Sequence, residues 1–266
     1  MNLMKYSAML ELLRQNRPLV HHITNYVTVN DCANVTLCIG ASPVMSHALE
    51  EVEEMVSYAG ALVLNIGTLD PYQAKSMLLA GRAANKLDIP VIVDPVGTGA
   101  TRYRTDFMSH MIDELQISVI KGNAGEIGML AGADARVNGV DSGDVKGDLG
   151  NIAQVFAKKT GITMVISGPT DIVSDGNQII TVENGHPMMG RISGTGCMLT
   201  SIIASFAAVE RDMAEASVAS LAAFGIAGER AAAKTPGPGS FKTALFDHLS
   251  LLTPDELARN AKVRKH

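Results

Sequence analysis

The stretch LVLNIGTLDPYQAKSMLLAGRAANKLDIPVIVDP, residues 62–95, decides the fold. Leu62 to Ile66 is a short run that is apolar but for Asn65, and it ends at Gly67. Pro71 to Leu87 reads as a helix, and Val91 to Asp94 is a second β-branched run stopped by Pro95. Strands this apolar are buried on both faces. Their alternation with helices makes a parallel sheet that helices cover on either side.

The same alternation continues in both directions. Leu19 to Ile23 reads as a strand, Asp31 to Ile39 as a helix, and Ala48 to Tyr58 as an acidic helix with Glu50, Glu51, Glu53 and Glu54 toward solvent. Further on come a helix at Phe107 to Leu115, a strand at Ser118 to Lys121, a short helix at Gly125 to Leu130, a helix at Asn151 to Lys159 and a strand at Thr163 to Ser167. Asp171 to Ser174 and Gln178 to Val182 flank Asp175-Gly176-Asn177, turn chemistry that predicts a β-hairpin. After Cys197 the chain reads as all helix, broken near Pro236 to Gly239. Gly139 to Gly150, rich in Gly and Asp, reads as an exposed loop rather than a boundary. The expectation is one α/β domain spanning residues 1–266, with no repeat and no linker.

The chain has 266 residues, 47% hydrophobic and 18% charged, long enough to bury a large core. Aromatics are 4% and Trp is absent, so small aliphatics and 14 Met fill that core. The net charge of -5 and the lack of a basic stripe argue against nucleic acid; the only dense basic run is Lys262 to His266. Cys32, Cys38 and Cys197 are odd in number and unpaired in spacing, which suits a reducing, cytoplasmic setting. Adjacent His21 and His22 point to opposite faces of a strand and cannot chelate together. Lys5, Glu11 and Arg14 at helical spacing are unlike a signal peptide. The uncharged stretch Ile192 to Val209 contains Ser-Gly-Thr-Gly and reads as loop plus core helix, not a membrane span.

That loop, Ser193-Gly194-Thr195-Gly196-Cys197, carries the most chemistry. Small residues at a helix start let backbone N–H groups surround an anion, and the helix dipole adds positive potential. A thiol on the first turn sits in the same field, which predicts a lowered pKa. A small buried hydrophobe is the ordinary alternative for such a cysteine.

Ligands of open α/β sheets bind beyond the carboxyl ends of the strands. Asp94, Lys121 and Ser167 close three strands, with Asn123 and Glu126 just after Lys121. Two carboxylates, a cation, a hydroxyl and an amide converging at one rim suit a nucleotide phosphate with Mg²⁺, which takes one or two carboxylates and keeps waters and phosphate oxygens. Asn123 and Glu126 also have the spacing of a helix capping box. There is no G-x-x-x-x-G-K-[ST] loop. Gly97-Thr98-Gly99 and Gly194-Thr195-Gly196 each lack the third glycine of a dinucleotide fingerprint.

Seven pieces carry a resemblance that runs nearly end to end: His21 to Val27 (HHITNYV), Gly40 to Ser46 (GASPVMS), Leu64 to Leu69, Val93 to Gly97, Ile120 to Glu126, Ser193 to Cys197, and Gly237 to Phe241. The chain resembles the hydroxyethylthiazole kinase family of the ribokinase-like superfamily. The Asn-x-x-Glu and Gly-Thr-Gly-Cys pieces belong to the wider superfamily, while GASPVMS is specific to the thiazole kinases.

The resemblance implies a three-layer α/β/α fold with a mostly parallel central sheet, assembled as a homotrimer with sites at subunit interfaces. It implies transfer of the ATP γ-phosphate to the hydroxyethyl group of 4-methyl-5-(2-hydroxyethyl)thiazole, in thiamin salvage, with Mg²⁺. By motif position, Cys197 would sit beside the attacking hydroxyl as the catalytic residue. Met45, Gly194, Asn25 and Gly67 would bind substrate. Lys121, Ser167, Asn123, Thr195 and Gly196 would bind ATP, and Asp94 and Glu126 would serve the metal. Some members carry Arg where Lys121 stands, so the charge is kept here without the bidentate fork; Ser167 in place of Thr keeps the hydroxyl. Outside the resemblance, Met45 is also an ordinary gap-filling core residue. Rival readings are a hydroxymethylpyrimidine or pyridoxal kinase of the same fold, a dehydratase of hydrated nicotinamide cofactor (which typically has Asp where Cys197 stands), and a nucleotide-binding regulator without catalysis.

Overall fold

Six parallel strands and a three-strand antiparallel extension form a single sheet in a computed structural model that describes residues 3–132 and 145–266. The strands are β1 (Leu19–Ile23), β2 (Ser42–Met45), β3 (Ala61–Asn65), β4 (Val91–Asp94), β5 (Val119–Asn123), β6 (Thr163–Ser167), β7 (Asp171–Ser174), β8 (Ile179–Val182) and β9 (Val263–Lys265). They lie in the order β2-β1-β3-β4-β5-β6-β7-β8-β9. Strands β1 to β6 pair in parallel, and β7, β8 and β9 antiparallel.

Helices cover both faces. On one lie α1 (Met4–Asn16), α2 (Val29–Ile39), α8 (Thr195–Ala207), α9 (Met213–Ala232), α10 (Pro238–Ser250) and α11 (Pro254–Asn260), sharing a core with Val20, Val63, Ile92, Val119 and Val165. On the other lie α3 (Val52–Ser57), α4 (Pro71–Lys86), α5 (Arg102–Glu114), α6 (Ala124–Leu130) and α7 (Val145–Thr160), packed on Ile23, Leu62, Leu64, Val93, Ile120 and Met164. The adjacent strand residues fall in opposite clusters because side chains alternate across a strand. This is the three-layer arrangement expected.

The differences from expectation have local causes. Pro43 disfavours a strand assignment for residues 42–45, yet β2 is an edge strand, where a missing N–H is tolerated. The tail is not all helix. Residues 263–265 add β9 to the sheet, and its basic residues are met by acids: Arg264 pairs with Glu183 at 3.7 Å and Lys262 with Glu229 at 2.9 Å. The acidic helix is shorter than Ala48 to Tyr58, because Tyr72 Oη accepts the N–H of Leu49 at 3.0 Å and Ser46 donates to Glu51 at 2.6 Å, fixing a turn before α3. Helix α5 begins at Arg102 rather than Phe107, with the Thr101 hydroxyl as N-cap. Of the loop read at Gly139 to Gly150, residues 139–144 lie outside the described residues, and residues 145–150 are helical, as the start of α7.

Candidate active site

The period of two in the strands aims the polar strand ends at one place. Val63, Ile92, Val119 and Val165 face α8 and α9. Asn65, Asp94, Lys121 and Ser167 each stand two residues later and therefore face the same way. Register sets Asn65 beside Asp94 and Asn123 beside Ser167. Helix α8 packs over β1, β3 and β4 and brings its N-terminus to this rim. Gly194 is its N-cap at φ +88°, and a Cβ there would run into Thr28 Cγ2, so glycine is needed both for conformation and for space. The first-turn N–H groups of α8 face the rim, and helix N-termini favour anions.

A hydrogen-bonded chain ties these side chains together. Asn25 Nδ2 donates to Asn65 Oδ1 at 2.9 Å and to the Cys197 sulfur at 3.3 Å. Asn65 Nδ2 donates to the same sulfur at 3.2 Å and to Asp94 Oδ2 at 3.0 Å. That carboxylate oxygen also accepts from the Thr200 hydroxyl at 2.9 Å and pairs with Lys121 Nζ at 3.6 Å. Asp94 and Lys121 are 1% and 3% exposed, so each charge depends on the other for compensation. The thiol expected to have a lowered pKa does not: burial pushes it up, and so does the nearby Asp94 carboxylate. Thr28, Lys121 and Asn65 pull it down, against these larger effects.

Glu126 joins the rim through backbone. Its two carboxylate oxygens accept the N–H groups of Gly97 and Asn123, each at 2.9 Å, and Asn123 Oδ1 accepts the Glu126 N–H at 3.0 Å. The capping box is therefore real, and it places Glu126 against the loop that follows Asp94. Among the described residues no group of three or more His, Cys, Asp or Glu side chains could hold a metal ion. Two carboxylates on neighbouring loops of one rim match the sparse set that Mg²⁺ takes when phosphates supply the remainder.

Ser167, Thr195 and Gly196 line a cavity of about 450 Å³, closed on its apolar side by Met189, Leu199, Leu221 and Phe224. The Lys121 ammonium lies where a Cβ on Gly196 would come within 2.9 Å of it. Gly67 donates its N–H to Asn65 Oδ1 at 2.9 Å, and a Cβ there would crowd Asn25. The structure thus gathers Asn25, Gly67, Asp94, Lys121, Gly196 and Cys197 in one network, adds Asn123 and Glu126 beside it, and sets Ser167 and Thr195 on the cavity. Met45 stands apart from the network: it ends the edge strand β2, half-buried, level with His22 of β1.

Asn65, Thr200 and Arg104 escape the sequence reading. Asn65 is the one polar residue in an apolar strand, a signal that was available. Thr200 is three residues past Cys197, on the same helical face. Arg104 donates to Gly67 O at 2.6 Å and to Val96 O at 3.3 Å, joining the loops after β3 and β4, and nothing local marks it.

Comparison with known proteins agrees with this geometry. The model of the hydroxyethylthiazole kinase family matches residues 10–255. A hydroxyethylthiazole kinase of Methanocella arvoryzae is 59% identical over 258 residues, 97% of either chain. The solved structure of a hydroxyethylthiazole kinase protein from Pyrococcus horikoshii superposes with a TM-score of 0.92 at 39% identity, over 98% of this chain and 99% of that one. A ribokinase-like superfamily protein from Enterococcus faecalis, at 16% identity and a TM-score of 0.62 over 91% and 89% of the two chains, shares the fold.

Proposed function

The chain belongs to the hydroxyethylthiazole kinase family, and from that membership we propose that it moves the γ-phosphate of ATP to the hydroxyethyl group of 4-methyl-5-(2-hydroxyethyl)thiazole, a thiamin-salvage step. The observation that carries the reading is the sharing of one Asn65 amide between Cys197 and Asp94, at the N-terminus of α8 and beside a buried lysine.

In this reading the alcohol lies against Cys197, with Asn25, Met45, Gly67 and Gly194 around it. The triphosphate enters the cavity toward Ser167, Asn123, Thr195 and Gly196, and Lys121 swings its ammonium from Asp94 to the phosphates. The hydroxyl oxygen attacks the γ-phosphorus in line, the bond to the β–γ bridging oxygen breaks, and ADP leaves. The α8 N–H groups stabilise charge on the transferring group. Asp94 and Glu126 would hold Mg²⁺, which supplies charge neutralisation at the β- and γ-phosphates. The transition state is loose, so the hydroxyl proton departs late. A thiol pushed up by burial is mostly protonated at neutral pH. Its sulfur therefore first orients the hydroxyl, and its thiolate fraction takes the proton.

The assembly proposed is a homotrimer of single-domain chains, residues 1–266, in the cytoplasm. Tyr26 and Val27, directly after Asn25, are 57% and 67% exposed and supply apolar surface for an interface at the site. The three cysteines are free, which fits a reducing compartment. No described helix is long and apolar enough to cross a membrane. The deciding assay supplies ATP, Mg²⁺ and a panel of thiazole, pyrimidine and pyridoxal alcohols. Phosphorylated thiazole as the preferred product supports the reading; preference for another alcohol, or ATP binding without transfer, overturns it.

A further inference from the structure

Asp171 has no part in the mechanism above, yet it stands in the nucleotide cavity. It opens β7, half-buried, and lines the same space as Ser167, Thr195 and Gly196. Its Oδ1 accepts the Gly168 N–H at 2.9 Å, closing the turn that follows Ser167. Burial pushes its carboxyl up to about 7, against the Gly168 hydrogen bond and the Lys121 ammonium, which act downward.

The other groups around it offer little compensation. Lys121 on β5 is the charge set against it, and that charge is already paired with Asp94. Helices α8 and α9 bring only uncharged residues to the cavity, namely Thr195, Gly196, Leu199, Leu221, Phe224 and Gly225. His186 is the cavity's other titratable residue. On α7, Lys158 packs at the far end of the β7–β8 hairpin, against Gly176. An ionised carboxylate here would repel a triphosphate in a weakly screened space. A neutral carboxyl would not, and it offers an O–H donor while its carbonyl oxygen goes on accepting from Gly168.

We propose that Asp171 is a phosphate-binding residue of the nucleotide site that works as the neutral acid, taking one proton from solvent as the triphosphate enters and donating its O–H to a phosphate oxygen. The inference rests on the nucleotide reading of the cavity. It makes ATP binding proton-coupled, so affinity falls as pH rises past the carboxyl's titration, toward about tenfold per pH unit.

The test is calorimetric titration of a non-hydrolysable ATP analogue with Mg²⁺ in buffers of different ionisation enthalpy, for wild type and Asp171→Asn. Asn keeps an acceptor for Gly168 and has no proton to gain. At about pH 8 the wild type is expected to take up close to one proton more than the variant, and its Kd to weaken steeply with pH while the variant's stays nearly flat. Equal proton counts and parallel pH profiles overturn the inference. Should the variant not fold, the count is taken on His186→Gln, which removes the cavity's other titratable residue: proton uptake at alkaline pH, where the analogue's phosphates are fully ionised, supports it, and no uptake overturns it. A wild type that binds no nucleotide at any pH fails at the earlier step and overturns the nucleotide reading itself.

Discussion

The side-chain amide nitrogen of Asn65 lies 3.2 Å from the sulfur of Cys197, on the last residue of a buried strand and the first turn of a helix that cover one another. The same nitrogen reaches Asp94, so removing it strips a donor from a buried carboxylate and from the thiol at once. Asn65→Ala is expected to destabilise the protein by about 1–3 kcal/mol, the cost of unsatisfied buried acceptors. Turnover should fall further than Thr200→Val lowers it, since the Thr200 hydroxyl reaches Asp94 and the Gly196 carbonyl but not the sulfur. Urea unfolding and initial rates measure the two effects separately; equal turnover in the two variants would contradict the bridging role.

Cys197→Ala removes the sulfur without touching the phosphate side. A general base contributes about 10²–10⁴-fold, so kcat should drop within that range and stay measurable. Cys197→Asp restores an acceptor and should keep activity. A folded Cys197→Asp protein with no turnover counts against proton acceptance at this position.

Asp94→Asn and Glu126→Gln separate charge from shape. Gln at 126 has a single acceptor oxygen, so it can keep the Asn123 N–H of the α6 cap while giving up the Gly97 N–H, and the helix should survive with a modest loss of Tm. Both variants should need far more Mg²⁺ for half-maximal rate. Wild-type rates at low Mg²⁺ in either one would remove it from the metal site.

Gly196→Ala and Gly194→Ala differ in kind. At 196 the new methyl meets only the flexible end of Lys121, so the protein should fold normally and show a raised KM for ATP. At 194 the positive φ and the Thr28 side chain both resist a Cβ, and a loss of about 1–2 kcal/mol or more is expected. Thermal unfolding of the pair gives the comparison; equal Tm values would contradict it.

Acid lability should trace in part to His22. Burial lowers its pKa from the usual 6.5 to about 4. The unfolded chain then binds more protons between those values, so stability is full above about pH 6.5 and is lost as pH falls toward 4, by up to about 3 kcal/mol. His22→Gln should flatten that part of the stability curve. A variant curve parallel to wild type from neutral to acid pH would refute the assignment.

Much of this molecule is legible locally. The apolar strands, the hairpin at Asp175 to Asn177 and the Asn123–Glu126 cap depend on side-chain period and on turn and cap chemistry within a few residues. The rim residues Asp94, Lys121 and Ser167 follow from strand ends and a period of two. Two strands are not legible in that way. Pro43 masks β2, whose place at the sheet edge is a property of the whole topology, and the basic tail becomes β9 by pairing with the open edge of β8, where Glu183 and Glu229 also meet its charges.

Residue types and their order along the chain were enough to mark the sheet, the layers and the positions where polar groups gather. Folding in three dimensions set the partnerships among residues 25, 65, 94 and 197, far apart in sequence, because register and loop closure choose which amide meets which acceptor. It also set the direction in which the thiol titrates. A helix start argues for a lowered pKa, but desolvation and the Asp94 charge oppose it more strongly, and neither exists until the chain closes over the site.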